Sequence, residues 1–272
     1  MVKIESAEQF KCLAAKARQG GFTFSNCYFT SATLQPLIDG GLLWAAEFPS
    51  ALLFLEKADG FYRVYYYLQP DQIPERVSFD RPAVLEYVYR SGLSAQSRAE
   101  IALIEHMGFA LGRESGRMSL RAGQAAKMPT DTSFVCRTPA GGEEALLALF
   151  GAAFDPLYAY MPDRSELTKA IEGGQIFCIN EQGRLCAALF SEQKGSTAWI
   201  RMIAVAPDAQ GRGFAKGLLD AYHQAYVPHV TGFSHWVERS NIGALSLYRK
   251  FGYTFDGRYA NEYVFRPDKY RK

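Results

Sequence analysis

Apolar positions recur along this chain at two periods, in blocks that alternate between helix-like and strand-like spacing. Phe10, Leu13, Ala14 and Ala17 share one helical face, with Ser6 and Gln9 before them as a capping box and Gly20-Gly21 behind, which predicts a first helix. The runs LLWAAE, ALLFLEK and FYRVYYYLQ read as strands, and Asp59-Gly60 between the last two is a hairpin signal. AVLEYVYR is a further strand, and SRAEIALIEHMGF a helix ending near Gly108. From Arg121 to Ser133 the pattern lapses into RAGQAAKMPTDTS, small and polar with a proline, which predicts a linker.

The second half repeats the plan. FVCRT reads as a strand, GEEALLALFGAAF as a helix, and DRSELTKAIEGG as a short helix with Asp163 and Glu166 as its capping box. Strands follow at QIFCIN, LCAALFSE and AWIRMIAVA, with Gly183 and Gly195 in the turns. The next helix places Phe214, Leu218, Tyr222 and Ala225 on one face, while Lys216, Asp220 and His223 face elsewhere. GFSHWVER is a strand, NIGALSLYRKFG a helix, and YTFDGRYANEYVF a hairpin turning at Asp256-Gly257. LIEHMGFALGRESGRMSL and LYRKFGYTFDGRYANEYV superpose at an offset of 144, setting Met107-Gly108-Phe109 on Phe251-Gly252-Tyr253. A helix, a glycine stop and a strand explain such a match without ancestry; duplication of a whole unit explains it too, and is the reading adopted. The expected architecture is α/β, of the mixed α+β kind: residues 1–125, a linker at 126–133, and residues 134–272.

Composition narrows the choice of partner. Against 30 Lys and Arg stand 28 Asp and Glu, a formal charge of +2, so any anion site must be local; neither nucleic acid nor membrane is an expected partner. The most apolar run, LLWAAEFPSALLFL, is interrupted by Glu47 and Pro49 and is too short to span a bilayer. Five cysteines at positions 12, 27, 136, 178 and 186 form no close-spaced metal pair and read as reduced, buried thiols. With a start, MVKIESAEQF, that lacks the apolar core of a secretory signal, they suggest a cytoplasmic protein. His106, His223 and His229 have no carboxylate or cysteine at ligand spacing, so no metal site is expected.

The candidate chemistry starts at AVAPDAQGRGFAKGLLDAY, where a strand meets a helix through Gln210, Gly211, Arg212 and Gly213. A helix N-terminus leaves backbone N–H groups unpaired and carries about half a positive charge, so an anion satisfies both. Glycines let a phosphate approach the main chain, and Arg212 and Lys216 add charge. A plain strand-to-helix connection is the simplest alternative. A dinucleotide motif fails because Lys216 stands where its third glycine belongs, and a triphosphate loop fails for want of Gly-Lys-Ser/Thr.

The stretch resembles the GNAT superfamily of N-acetyltransferases. Gln210, Gly213 and Ala215 after IAVAP match that family's Gln/Arg-x-x-Gly-x-Gly/Ala motif, and ERSNIGALSLYRKFGY matches a second motif at Asn241, Ala244, Tyr248, Gly252 and Tyr253. The resemblance covers about Phe134 to Phe265. It implies two GNAT-like units, each a mostly antiparallel mixed sheet flanked by helices, and acetyl-CoA as acyl donor. Amides of Gln210, Gly211, Arg212, Gly213, Phe214, Ala215 and Lys216 would wrap the coenzyme's pyrophosphate, while backbone of Ile203, Ala204 and Val205 would pair with the pantetheine arm. Asn241 would touch the coenzyme, be a helix N-cap, or do both.

Transfer to an amine needs a proton acceptor for the ammonium and a proton donor for the departing thiolate. Tyr248 is the expected general acid; on spacing alone it is an aromatic of the helix's buried face. Glu238 is the candidate base, with an ion pair to Arg239 or Arg249 as its structural alternative, and His235 is a weaker one. AWIRMIAVA departs from the family in lacking a carboxylate. The first half has Ile104 where Tyr248 stands at the 144 offset, and YYLQPDQIPERVSF, with prolines and no Gly-x-Gly, where the loop belongs. It reads as degenerate and without catalysis, its Tyr65-Tyr66-Tyr67 run being either an acceptor-site lining or a strand with tyrosines on both faces. The expected function is acyl transfer, acetyl foremost, to a primary amine; the alternative is a non-catalytic coenzyme A-binding regulatory or assembly module.

Overall fold

Ser6 caps the first helix: the Gln9 amide donates to its Oγ at 3.1 Å and α1 runs Ala7–Gln19. The computed structural model describes residues 1–125, 132–133, 135–138 and 141–268. In the first half, β1 (Val2–Lys3), α1, β2 (Phe24–Ser25), α2 (Ser31–Asp39), β3 (Leu43–Phe48), β4 (Ala51–Lys57), β5 (Tyr62–Leu68), β6 (Ala83–Arg90), α3 (Ala95–His106) and β7 (Ala110–Arg121) follow one another. The second half contains β8 (Cys136–Arg137), α4 (Glu143–Ala153), α5 (Arg164–Glu172), β9 (Ile176–Glu181), β10 (Arg184–Lys194), β11 (Thr197–Val205), α6 (Phe214–Tyr226), β12 (Gly232–Glu238), α7 (Ile242–Lys250) and β13 (Thr254–Phe265). No helix among the described residues is long and apolar enough to cross a membrane.

These elements form two compact units, Met1–Glu114 with Arg258–Lys272, and Ser115–Gly257. In the first, β1, β3, β4, β5, β6 and residues 258–265 of β13 make a sheet in that order. Phe10, Ala14, Leu34 and Ile38 of α1 and α2 cover one face against Phe54 and Tyr67. Leu103 and Ile104 of α3 cover the other, against Leu53, Leu55 and Tyr66. In the second unit the order is residues 115–121 of β7, then β12, β11, β10, β9 and β8. Leu146, Phe150 and Leu167 of α4 and α5 lie on one side, and α6 and α7 on the other. Antiparallel pairs dominate both sheets, and β5–β6 and β11–β12 are the parallel ones.

Three expectations change. YTFDGRYANEYVF is no hairpin but the single strand β13, with Gly257 inside it at φ +83°. The Asp-Gly pair does mark a left-handed residue, yet here that conformation sits within a strand, where glycine accommodates an irregularity that a side chain resists. From Arg258 onward the strand pairs with β6, while β7 from Ser115 onward pairs with β12. Each half's last strand thus completes the sheet made by the other half. Ala110 and Arg121, the ends of β7, fall on Thr254 and Phe265, the ends of β13, at the same offset of 144. The compact units therefore divide the chain within these two strands, elsewhere than at 126–133; of that linker, residues 126–131 lie outside the described residues, as does Phe134 of the FVCRT run.

The second change is the added helix α2, which carries Pro36: Thr30 and Thr33 cap it reciprocally, and Leu34 and Ile38 hold it to the sheet. The third is α6, whose buried arc is wider than its apolar spacing implied. Asp220 and His223 are both buried; Phe251 and Tyr253 after α7 cover His223, whose Nε2 lies 2.8 Å from the Tyr253 hydroxyl.

Candidate functional site

β11 pairs with β12 from Thr197↔Gly232 to Ile200↔His235, and there the pairing stops. Its other edge stays on β10 as far as Val205. Ile200 and Met202 face the adjacent residues Ser191 and Phe190 of β10, which makes Arg201 the extra residue of a bulge. A bulge bends its strand and increases the local twist, and this one falls where β11 and β12 part. Arg201 itself swings to Glu166 on α5. Asp163 caps α5 as expected, through the Glu166 amide at 2.8 Å, but the Glu166 side chain is turned to Arg201.

The bulge exchanges the faces of β11. Ala198 and Ile200 pack toward α6 before it, and Ile203 and Val205 do so after it. Met202 and Ala204 turn toward α4 and α5. From Arg201 to Val205, through Ile203 and Ala204, the edge toward β12 has no β12 partner. That edge is where an extended chain of alternating amides would add.

The strand then enters the glycine loop through a 3-10 turn at Pro207–Ala209. Gln210 reaches back, Nε2 donating to the Val205 carbonyl at 3.4 Å. Gly211 and Gly213 have φ of +77° and +83°, and a Cβ built on either meets nothing within 4 Å. Glycine is thus required by the backbone, and the space beside it is open. Gly213 is the N-cap of α6 and gives it no side-chain cap, so the amide end of a 13-residue helix is left to other acceptors. The Phe214 side chain is buried in the core beneath, and Ala215 and Lys216 complete the first turn.

Arg212 is not free for an anion. Its fork grips Glu181 at the end of β9, Nη1 to Oε2 at 2.7 Å, and its guanidinium stands 4.7 Å from the Phe214 ring. Arg212 holds the Glu181 carboxyl below its usual range. Glu181, 31 positions upstream, carried no sequence signal for this pairing.

Asn241 is the N-cap of α7, its Oδ1 accepting the Ala244 amide at 3.0 Å. That helix brings Tyr248 to the sheet, where the phenol is 4 % exposed and lies 3.7 Å, ring centre to ring centre, from His235. Tyr248 therefore sits at the head of the gap between β11 and β12. Burial raises its pKa well above the ordinary phenol value, so it is protonated at neutral pH. His235 is 1 % exposed, and neither ring nitrogen has a hydrogen-bond partner among the described residues. Burial, then His223 nearby, pushes its pKa down to about 3, far too low for a proton acceptor near neutrality. Glu238, three residues further along β12, is exposed and accepts a hydrogen bond from Ser240.

On the opposite face of the sheet lies a cavity of about 620 Å³ lined by Arg117, Ser119, Arg121, Trp199, Ser234 and Thr254, among others. Asp256 ties Arg117 Nε at 2.5 Å and the Ser119 hydroxyl at 2.7 Å, and the Arg117 guanidinium lies 5.7 Å from the Trp199 ring. Four strands, β7, β11, β12 and β13, build it from positions remote in sequence, and no local pattern announced it.

The first unit carries the same parting of parallel strands, but fills it. β5 and β6 pair only at Tyr62↔Ala83 and Arg63↔Val84. Beyond that, β2 takes the edge of β5 at Phe24↔Leu68 and Ser25↔Tyr67. Asn26 bridges the two strands, Nδ2 donating to the carbonyls of Val64 at 3.2 Å and Glu86 at 3.0 Å, while Oδ1 accepts the Tyr66 amide at 2.7 Å. Ile104 is enclosed in the core. Tyr66 lies on the α3 face, whereas Tyr65 and Tyr67 lie with α1 and α2, so these tyrosines occupy both faces of a strand.

Residues 144–253 match the family model described as Acetyltransferase (GNAT) family. The chain is 28% identical over 191 residues to a mycothiol acetyltransferase of Pseudarthrobacter chlorophenolicus, a match covering 60% of this chain and 57% of that protein. The chain thus spans just over half the length of that curated relative. A GCN5-related N-acetyltransferase from Sphaerobacter thermophilus superposes with a TM-score of 0.57 at 17% identity, covering 80% of this chain and 81% of the other. An acetyltransferase of the GNAT family from Colwellia psychrerythraea gives 0.54 at 16%, covering 97% and 98%. At such identities these two structures speak for the fold.

Proposed function

We propose that this chain, whose residues 144–253 match the GNAT family model, transfers an acetyl group from acetyl-CoA to a primary amine, with the site in the unit Ser115–Gly257. The observation that carries this reading is the continuity of the free edge of β11 with the uncapped start of α6, with Tyr248 at the head of the gap. A pantetheine arm offers amides that the Arg201–Val205 edge can pair with, and a pyrophosphate suits the amides from Gln210 to Lys216. Lys216 adds its charge there, while Arg212, held by Glu181, shapes the loop instead. The donor supplies the thioester, and the protein's residues supply position and proton transfer.

An alkylamine with a pKa of about 10.4 arrives mostly as ammonium and must lose a proton before it attacks. Glu238, exposed at the end of β12 beyond its last pairing with β11, is the group assigned to accept it, directly or through water. Tyr248 keeps its proton at neutral pH and is the group that can hand one to the thiolate as it leaves. The cavity beside Trp199, one residue from the last paired position of β11, is the acceptor's place in this scheme.

Two further assignments accompany it. The first half is a degenerate copy of the fold, since its own β2 and Asn26 occupy the slot that the coenzyme takes in the second. The five cysteines are free thiols; contrary to the expectation of burial, Cys12 and Cys136 are exposed and Cys27 is half-buried, with Cys178 and Cys186 buried. Free thiols suit a reducing, cytoplasmic setting.

Thermal unfolding with and without acetyl-CoA, followed by thiol release over a panel of amines, tests the scheme. Coenzyme at 100 times its dissociation constant stabilises a fold it binds selectively by about 2.7 kcal/mol. No shift removes the site; a shift without turnover on any amine leaves a coenzyme-binding module.

A further inference from the structure

Cys136 on β8 and Cys178 on β9 are direct cross-strand partners in an antiparallel pair. Their sulfurs lie 3.3 Å apart without a bond, and Asn180 Nδ2 reaches both, at 3.7 Å and 3.6 Å. Among the described residues this is the one cysteine pair with sulfurs in contact. Partners directly opposite one another on antiparallel strands have Cα atoms about 4.5–5.5 Å apart, within the roughly 4.4–6.8 Å that a disulfide spans. Bond formation therefore needs side-chain rotation and no movement of either strand. The two sulfurs also differ in access, Cys136 being exposed and Cys178 buried.

We propose that Cys136 and Cys178 form a reversible thiol-modification site that takes a low-molecular-weight disulfide and converts it to two thiols while stapling β8 to β9. The Cys136 thiolate attacks one sulfur of the small disulfide, the S–S bond breaks, and a first small thiolate leaves. Cys178 then attacks Cys136 Sγ, its proton passes to the second departing sulfur, and the internal disulfide closes. Two protein thiols are oxidised, one small disulfide is reduced to two thiols, and a dithiol reductant runs the sequence backwards. Exposure makes Cys136 the point of entry. Burial pushes the Cys178 thiol up to about 11, so it is a poor first nucleophile, and contact with Cys136 makes it the resolving one. The ring so closed contains α4 and α5, and with them Glu166, the partner of the bulge residue Arg201. This site is independent of the catalytic reading.

The full-length chain carrying Cys12→Ser, which removes an exposed single thiol, is treated with glutathione disulfide, quenched in acid and mapped by mass spectrometry without reduction. The expected product is a peptide pair joined through Cys136 and Cys178, about 2 mass units lighter than its dithiol, with no retained glutathione and a raised unfolding temperature. Adding Cys178→Ser should trap one glutathione on Cys136, and Cys136→Ser should leave Cys178 unmodified. A chain free of either second substitution that keeps glutathione on Cys136 with no joined peptide, or that stays a dithiol, overturns the proposal.

Discussion

The ring of Tyr248 lies against that of His235, 3.7 Å between centres, and His235 is the last residue of β12 to pair with β11. A helix residue and a strand residue thus meet at the point where the sheet opens. Burial keeps both neutral near pH 7, Tyr248 by raising its pKa and His235 by lowering it to about 3. The contact gives the phenol a fixed, uncharged neighbour that does not compete for its proton.

Replacing Tyr248 with Phe should lower kcat by about 10²-fold, the usual lower bound for a positioned acid, with little change in the dissociation constant of acetyl-CoA. Because the phenol pKa is raised, the wild-type rate should show no loss attributable to Tyr248 up to at least pH 9. Stopped-flow thiol release against pH checks both, and an unchanged kcat in the Phe variant removes the assigned role.

Gly213→Val forces a β-branched residue into φ +83°. The left-handed conformation costs about 1–2 kcal/mol for a side-chain-bearing residue, so the unliganded variant should unfold at lower denaturant. Its side chain enters the open space beside the loop, and stabilisation by acetyl-CoA should disappear. Titration calorimetry on the folded variant separates the two effects.

Stability should fall on mild acidification. His235 and His223 have folded pKa values lowered by burial to about 3 and about 4, against about 6.5 when unfolded. Below pH 6.5 the unfolded chain binds protons that the folded chain refuses, so each group destabilises the fold progressively down to its folded pKa. By pH 5 the loss is about 2 kcal/mol for each histidine. Urea midpoints at pH 7 and pH 5 measure it, and His235→Phe should halve the difference between them.

Asn26→Ala in the first unit should cost about 1–3 kcal/mol, because it strips a partner from the Tyr66 amide and from two strand carbonyls. Acetyl-CoA affinity should stay as it was, since the second unit's slot is untouched. A loss of coenzyme binding in this variant contradicts the placement of the site.

Much of this was legible beforehand. Ser6 and Asp163 mark helix starts because capping is local chemistry within four residues. The loop at Gln210–Gly213 and the helix after it were readable because a left-handed backbone needs glycine wherever the chain uses it. Asp256-Gly257 misled for the same reason: a positive φ is a local demand, and whether the chain then reverses or runs straight on depends on what lies alongside, here β6. His223 misled because helical spacing reports the apolar stripe and is blind to a second cover such as Tyr253.

Sequence alone determined the inventory: the helices and strands whose spacing is set by local backbone preference, the glycine loop, and the tyrosine four residues after Ala244. Only the tertiary structure decided that β11 and β12 part at Ile200 and His235 and that β2 closes the matching slot of the first unit. It also decided that Arg212 is bound to Glu181, and that β7 and β13 each complete the other half's sheet. The physical reason is range. Capping, turns and amphipathicity act among neighbours a few residues apart, whereas strand pairing, a bulge's register and an ion pair depend on partners tens to more than a hundred positions away, which no local pattern encodes.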